Sequence, residues 1–101
     1  MEGVADGLPV HRRYLVDQMS RAALSVYLNL LEGVGEFSPA EKARFYRMSA
    51  RSLREVLGCL RVVIALQPEL LAQVMEAGKL GNELRPKIIR YATYHAKRAH
   101  A

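Results

Sequence analysis

Five arginines, Arg44, Arg47, Arg51, Arg54 and Arg61, form the strongest charge pattern in the chain. Steps of three, four, three and seven residues place all five on one side of a helix. A guanidinium matches phosphate with its planar fork, so such a row can follow a nucleic-acid backbone. The alternative is a solvated face partly neutralised by neighbouring glutamates. A second pattern lies one segment earlier, where Ser25, Asn29 and Glu32 line one side of an apolar stretch from Met19 to Gly33. They lack a histidine or a second acid at clear spacing, whereas Ser52 and Glu55 stand i, i+3 on the following segment. These groups are therefore expected to pair between helices or across subunits. Buried polar networks of that kind fix register and oligomer state at some cost in stability.

The remaining reactive side chains form no catalytic constellation. His11, His95 and His100 lie near the two ends with no Glu-x-x-His partner, and are read as solvated helix-end histidines. Gly33-Val34-Gly35 lacks the Lys-Ser/Thr of a phosphate loop. Cys59 falls on a mid-helix apolar face, as a small core residue does. Tyr14, Tyr27, Tyr46, Tyr91 and Tyr94 fall on several faces, as core or interface side chains. No enzyme activity, no metal and no cofactor is expected.

The bulk composition supports this. The chain has 101 residues, half of them hydrophobic and a quarter charged, which suits one soluble globular domain. The net charge is +5 and segregated, with residues 38–66 and 82–101 each carrying +4 and the rest −3. One cysteine permits no internal disulfide and fits a reducing cytoplasm. The first residues show no secretory signal and no apolar run spans a membrane.

The elements that must position these residues are helices. Residues 1–8 read as a flexible leader. Pro9 suits a helix start, and apolar residues from Leu15 to Leu31 follow a three-four rhythm up to glycines able to close a helix in the left-handed conformation. Helix boundaries of about 9–33 follow. Ser38-Pro39-Ala40-Glu41 predicts the next start, with Ser38 capping and Glu41 reaching back to the Ser38 N–H. That helix runs over about 38–66. Pro68 opens a third, about 68–97, with a kink near 81–86 before Pro86; the alternative is two helices with Asn82 capping the second. Long amphipathic helices with short links make an all-α, up-down antiparallel bundle in one domain, residues 9–101. The many large apolar residues suggest that part of the surface meets another subunit.

Gln18, Arg21, Ala22, Ala23, Ser25, Asn29, Glu32 and Gly33 together resemble the core motif of the bacterial four-helix-bundle family of proteins encoded in 23S rRNA intervening sequences. Lys42, Arg44, Phe45 or Tyr46, Ser52 and Glu55 resemble its next helix. The likeness covers about residues 15–66, and the last helix by pattern only. Arg51 stands where the family usually has glycine, which puts close packing there in doubt. Family members usually begin with another helix before the Arg-Ala-Ala segment. Here either the start is late, or this is a shortened three-helix version whose groove a partner chain covers.

The resemblance implies a cytoplasmic helical bundle that closes into rings, a homopentamer being favoured, with no assigned enzymatic activity. It assigns Arg21, Ser25, Asn29, Glu32, Gly33, Ser52 and Glu55 to a structural polar motif. The fold is also similar to that of the accessory protein of diversity-generating retroelements, a basic pentamer that binds reverse transcriptase and nucleic acid. The expectation is a binding or scaffolding module whose arginine row contacts RNA or DNA. The alternative is a purely structural homo-oligomer or adaptor.

Overall fold

The computed structural model describes residues 2–100. Among them, four α-helices and no strands form a rod of 50 × 19 × 16 Å. Helix α1 spans Glu2–Gly7, α2 Arg13–Gly35, α3 Pro39–Leu66 and α4 Leu71–Ala99. Short 3-10 turns, Val10–Arg12 and Pro68–Leu70, lead into α2 and α4. The first follows Pro9 and the second begins at Pro68, and the fixed φ of proline favours a tight first turn.

Helix α3 is the spine. Helices α2 and α4 pack along its two sides and barely meet each other. The core forms where the three inward faces converge, from Leu15, Met19 and Val26 of α2, Leu53, Leu60 and Val63 of α3, and Val74 and Ile88 of α4. Their spacing is the three-four rhythm that brings apolar side chains to one helix face.

The N-terminal residues differ from the sequence expectation. Residues 1–8 read as a flexible leader, but Glu2–Gly7 is helical and Val4 is only 1% exposed. Gly7 sits directly against Leu70, so α1 seals the end of the core at the start of α4. One buried valine in an acidic, glycine-containing segment leaves no periodicity to detect.

The end of α2 also differs. The helix runs past Gly33 to Gly35, and no described glycine has a positive φ. Instead, the Lys42 ammonium donates to the Gly33 and Val34 carbonyls at 2.9 and 3.0 Å. A cation at the negative end of the helix dipole thus satisfies acceptors that the helix leaves free. At the start of α3, Ser38 Oγ accepts from the Glu41 N–H at 3.4 Å. The Glu41 side chain does not reach back to Ser38 but pairs with Arg44 at 2.9 Å, because the bidentate guanidinium fork is the stronger donor.

Helix α4 is continuous through Pro86, so Asn82 caps nothing. The bond Pro86 cannot make would end on the Asn82 carbonyl one turn earlier. Both residues are exposed.

Candidate functional site

The seam between α2 and α3 gathers the serines. Ser25 and Ser52 hydroxyls meet at 2.7 Å, and the Asn29 amide donates to the Ser25 carbonyl at 2.8 Å and to Ser25 Oγ at 3.1 Å. Ser49, fully buried, donates to the Val26 carbonyl at 2.8 Å. Short hydroxyl side chains here let two backbones approach while every buried polar atom keeps a partner. The Gln18 amide donates to Glu55 at the edge of the seam.

The expected stripe is therefore only partly assembled. Glu32 is exposed and its side chain makes no hydrogen bond among the described residues, and Arg21 is likewise at the surface. Glu55 takes Gln18 rather than a stripe residue, and no arginine of the row enters the seam. The geometry has the character of a packing device: two hydroxyls hydrogen-bonded to each other, with no base to activate either.

Gly33 has a different task from stopping a helix. A Cβ built on it would lie 2.7 Å from Tyr46 Cε1, so the α2 backbone passes directly over the buried tyrosine ring. Tyr46 in turn stacks near Tyr91 and His95, with ring centroids 6.0 and 5.7 Å away. Burial, then the nearby Tyr91, pushes the Tyr46 hydroxyl pKa up. His95 also meets Tyr94 edge-on at 4.9 Å and lies 3.0 Å from an Arg98 nitrogen through Nδ1. Partial burial, then the charges of Arg98 and Lys42, holds its pKa below 6.5. His95 is thus part of an aromatic stack rather than a solvated helix end.

On the opposite side of α3 lie the arginines. All five are exposed, as a row on one helix side requires. Arg44 is neutralised by Glu41 and lies over the Phe45 ring at 4.4 Å. That is the one ion pair among the described residues, so Arg47, Arg51, Arg54 and Arg61 keep their charge free of a carboxylate. Arg51 is exposed, and α3 meets its neighbours through the buried Ser49, which bonds α2, and Ala50, whose carbonyl accepts from α4.

The row splits in two. Arg54 and Arg61 line a groove of about 990 Å³ between α3 and α4, together with Lys79 and Arg85. Leu57, Ile64 and Met75 supply its apolar lining. Gly81 allows the two helices to close at its edge, where a Cβ would stand 2.8 Å from a Leu57 methyl. Arg85 Nε donates to the Ala50 carbonyl at 3.2 Å, which pins α4 beside α3. Lys79 and Arg85 were invisible as partners of the row in sequence, because only the helix pairing brings them alongside it.

Cys59 is half-buried on α3. Burial, then the charge of Glu55, raises its thiol pKa, the reverse of what a nucleophile needs. No group of three potential metal ligands occurs among the described residues, and no described helix is long and apolar enough to cross a membrane.

No curated protein and no solved structure matches the chain. A family model, 23S rRNA-intervening sequence protein, matches residues 3–89. It spans α1, α2, α3 and most of α4, with Gly33, the serine seam and the arginine row all inside it. The all-helical architecture agrees with that match, and the chain belongs to the family of 23S rRNA-intervening sequence proteins.

Proposed function

We propose that the protein is a non-enzymatic, oligomeric helical-bundle module of the cytoplasm that binds RNA or DNA through the basic side of α3. The observation that carries this reading is the exposure of Arg47, Arg51, Arg54 and Arg61 without a carboxylate partner among the described residues. Exposed guanidinium groups in a row along a helix neutralise successive phosphates and release counterions, without reading base sequence. A homopentamer is the assembly the family resemblance favours, and a nucleic-acid-handling enzyme such as a reverse transcriptase is a partner of the kind its fold suggests.

The test is a salt titration of binding to a mixed-sequence RNA and a DNA duplex. Binding should weaken steeply as salt rises, and Arg47→Glu with Arg51→Glu should lower affinity by about tenfold or more at low salt. Absence of binding at low salt rejects the reading.

The second reading, a structural homo-oligomer or adaptor without nucleic acid, is favoured by a separate observation. Leu24, Leu28 and Leu31 of α2 are each about half exposed and align in one stripe, an apolar patch of the kind that marks a protein-protein contact.

A further inference from the structure

The C-terminal half of α4 carries cations and exposed aromatic rings together. Lys87, Arg90, Tyr91 and Tyr94 are all exposed, and steps of three, one and three residues bring them to one helix face. Tyr91 and Tyr94 are 60% and 58% exposed, and an open hollow of about 500 Å³ lies among the four side chains. Lys97 and Arg98 continue the same face one turn on.

The charge here has one sign. After Glu83 the sequence contains no acid, whereas Arg85, Lys87, Arg90, Lys97 and Arg98 all follow it. Lys87, Arg90 and Lys97 make no ion pair among the described residues. The two rings also have fixed neighbours. Tyr91 lies beside the buried Tyr46, with centroids 6.0 Å apart, and Tyr94 meets His95 edge-on at 4.9 Å. The Arg98 guanidinium lies over the Tyr94 ring at 5.6 Å. A ring already packed against neighbours loses little conformational freedom when a flat ligand stacks on it.

Exposed tyrosines also serve protein contacts, but lysine is ordinarily depleted there. On α4 the order along the face is cation, ring, ring, cation. That order suits a polymer that alternates negative charge with flat, unpaired rings. A duplex offers its phosphates but keeps its base faces stacked on one another, whereas a single strand offers both.

We infer that this face of α4 is a stacking platform for single-stranded nucleic acid. Bases of neighbouring nucleotides lie on Tyr91 and Tyr94, and Lys87, Arg90, Lys97 and Arg98 hold the flanking phosphates. Every base has a π-face, so the platform selects an unpaired strand and not a sequence. The inference rests on the proposed function for its class of ligand only. Its residues stand on another helix, and Arg44, Arg47, Arg51, Arg54 and Arg61 take no part in it.

The experiment measures fluorescence polarisation of three labelled probes of matched length at low salt. They are a mixed-sequence single strand, an abasic strand with the same phosphates and no bases, and a duplex. The wild type should bind the base-bearing strand about tenfold more tightly than the abasic one. Tyr91→Leu with Tyr94→Leu should remove that difference and leave binding of the abasic strand and the duplex unchanged, with helicity checked by circular dichroism. Tyr91→Phe with Tyr94→Phe should keep the difference, because the ring and not the hydroxyl is used. Arg90→Gln should weaken the base-bearing and abasic strands alike. Equal wild-type affinity for those two strands would overturn the platform while leaving phosphate binding by α3 standing. A tenfold difference that survives in the leucine variant would place the stacking elsewhere and overturn it equally. Duplex binding that Arg47→Glu with Arg51→Glu leaves intact, beside a tyrosine effect that holds, would remove the α3 reading and keep the platform. A wild type that binds none of the probes overturns both, and its binding of polyglutamate would then turn this face toward an acidic protein partner.

Discussion

Gly33 and Tyr46 are in direct contact across the α2–α3 seam, with the glycine backbone over the tyrosine ring and room for nothing larger than hydrogen between them. A methyl at residue 33 would approach Cε1 and Cδ1 to 2.7 and 2.9 Å. The ring has little freedom to yield, being 7% exposed and flanked by Tyr91 and His95.

Gly33→Ala should therefore destabilise the protein despite the better helix propensity of alanine. Overpacking a tight site costs about 1–3 kcal/mol, and the propensity gain returns about 1. The net expectation is a loss of up to about 2 kcal/mol in urea unfolding, largely relieved by adding Tyr46→Leu. A Gly33→Ala chain as stable as the wild type would show that α2 and α3 can part at this point without loss.

The Ser25–Ser52 contact is expected to be worth a net interhelical hydrogen bond. Each Ser→Ala change should cost about 1 kcal/mol, and the double variant hardly more than either alone. Additive losses in the double-mutant cycle would mean that the two hydroxyls contribute separately, each through the backbone or water.

His95 should make the protein less stable in mild acid. Its folded pKa lies below 6.5, through burial and the nearby cations Arg98 and Lys42. The neutral form is thus favoured in the folded state, and the unfolded chain binds a proton first. Stability is complete above about 6.5 and falls as pH drops through the folded-state pKa. An NMR titration should place the His95 midpoint below 6.5, and His95→Phe should remove this part of the loss in thermal unfolding between pH 7 and 5. A midpoint at or above 6.5 would contradict the role given to the two cations.

Local signals in the chain carried much of this structure, and contacts between helices carried the rest. Ser38-Pro39 marks the start of α3 because capping uses only neighbouring residues. The Ser25 and Asn29 pairing is visible as a polar stripe because one helix turn aligns it. Glu32 breaks the pattern, since sequence spacing identifies a side but not where the seam ends. Gly33 is ambiguous in sequence for a similar reason: a glycine near a helix end serves a turn or a close approach equally well, and only the position of Tyr46 decides. Lys42 caps a helix other than its own, and Lys79 and Arg85 join a charge cluster begun on another helix. None of those three leaves a periodic trace. Pro86 leaves one kinked helix and two helices both open in sequence, because its cost depends on whether the orphaned carbonyl is hydrated; α4 runs through it as one helix.

With α2 and α4 each anchored on α3 and scarcely on each other, the molecule has a hierarchy of opening. Either edge helix can detach while the other keeps its packing, whereas α3 can be released only when both have gone. Amide exchange should accordingly sort the chain into three cooperative units, with the mid-α3 amides around Leu53 and Val56 exchanging last, at the free energy of global unfolding. Occupation of the α3–α4 groove by a second molecule would slow exchange first in α4. The central helix thus functions as the molecule's keel, and the edges are the parts a partner can tune.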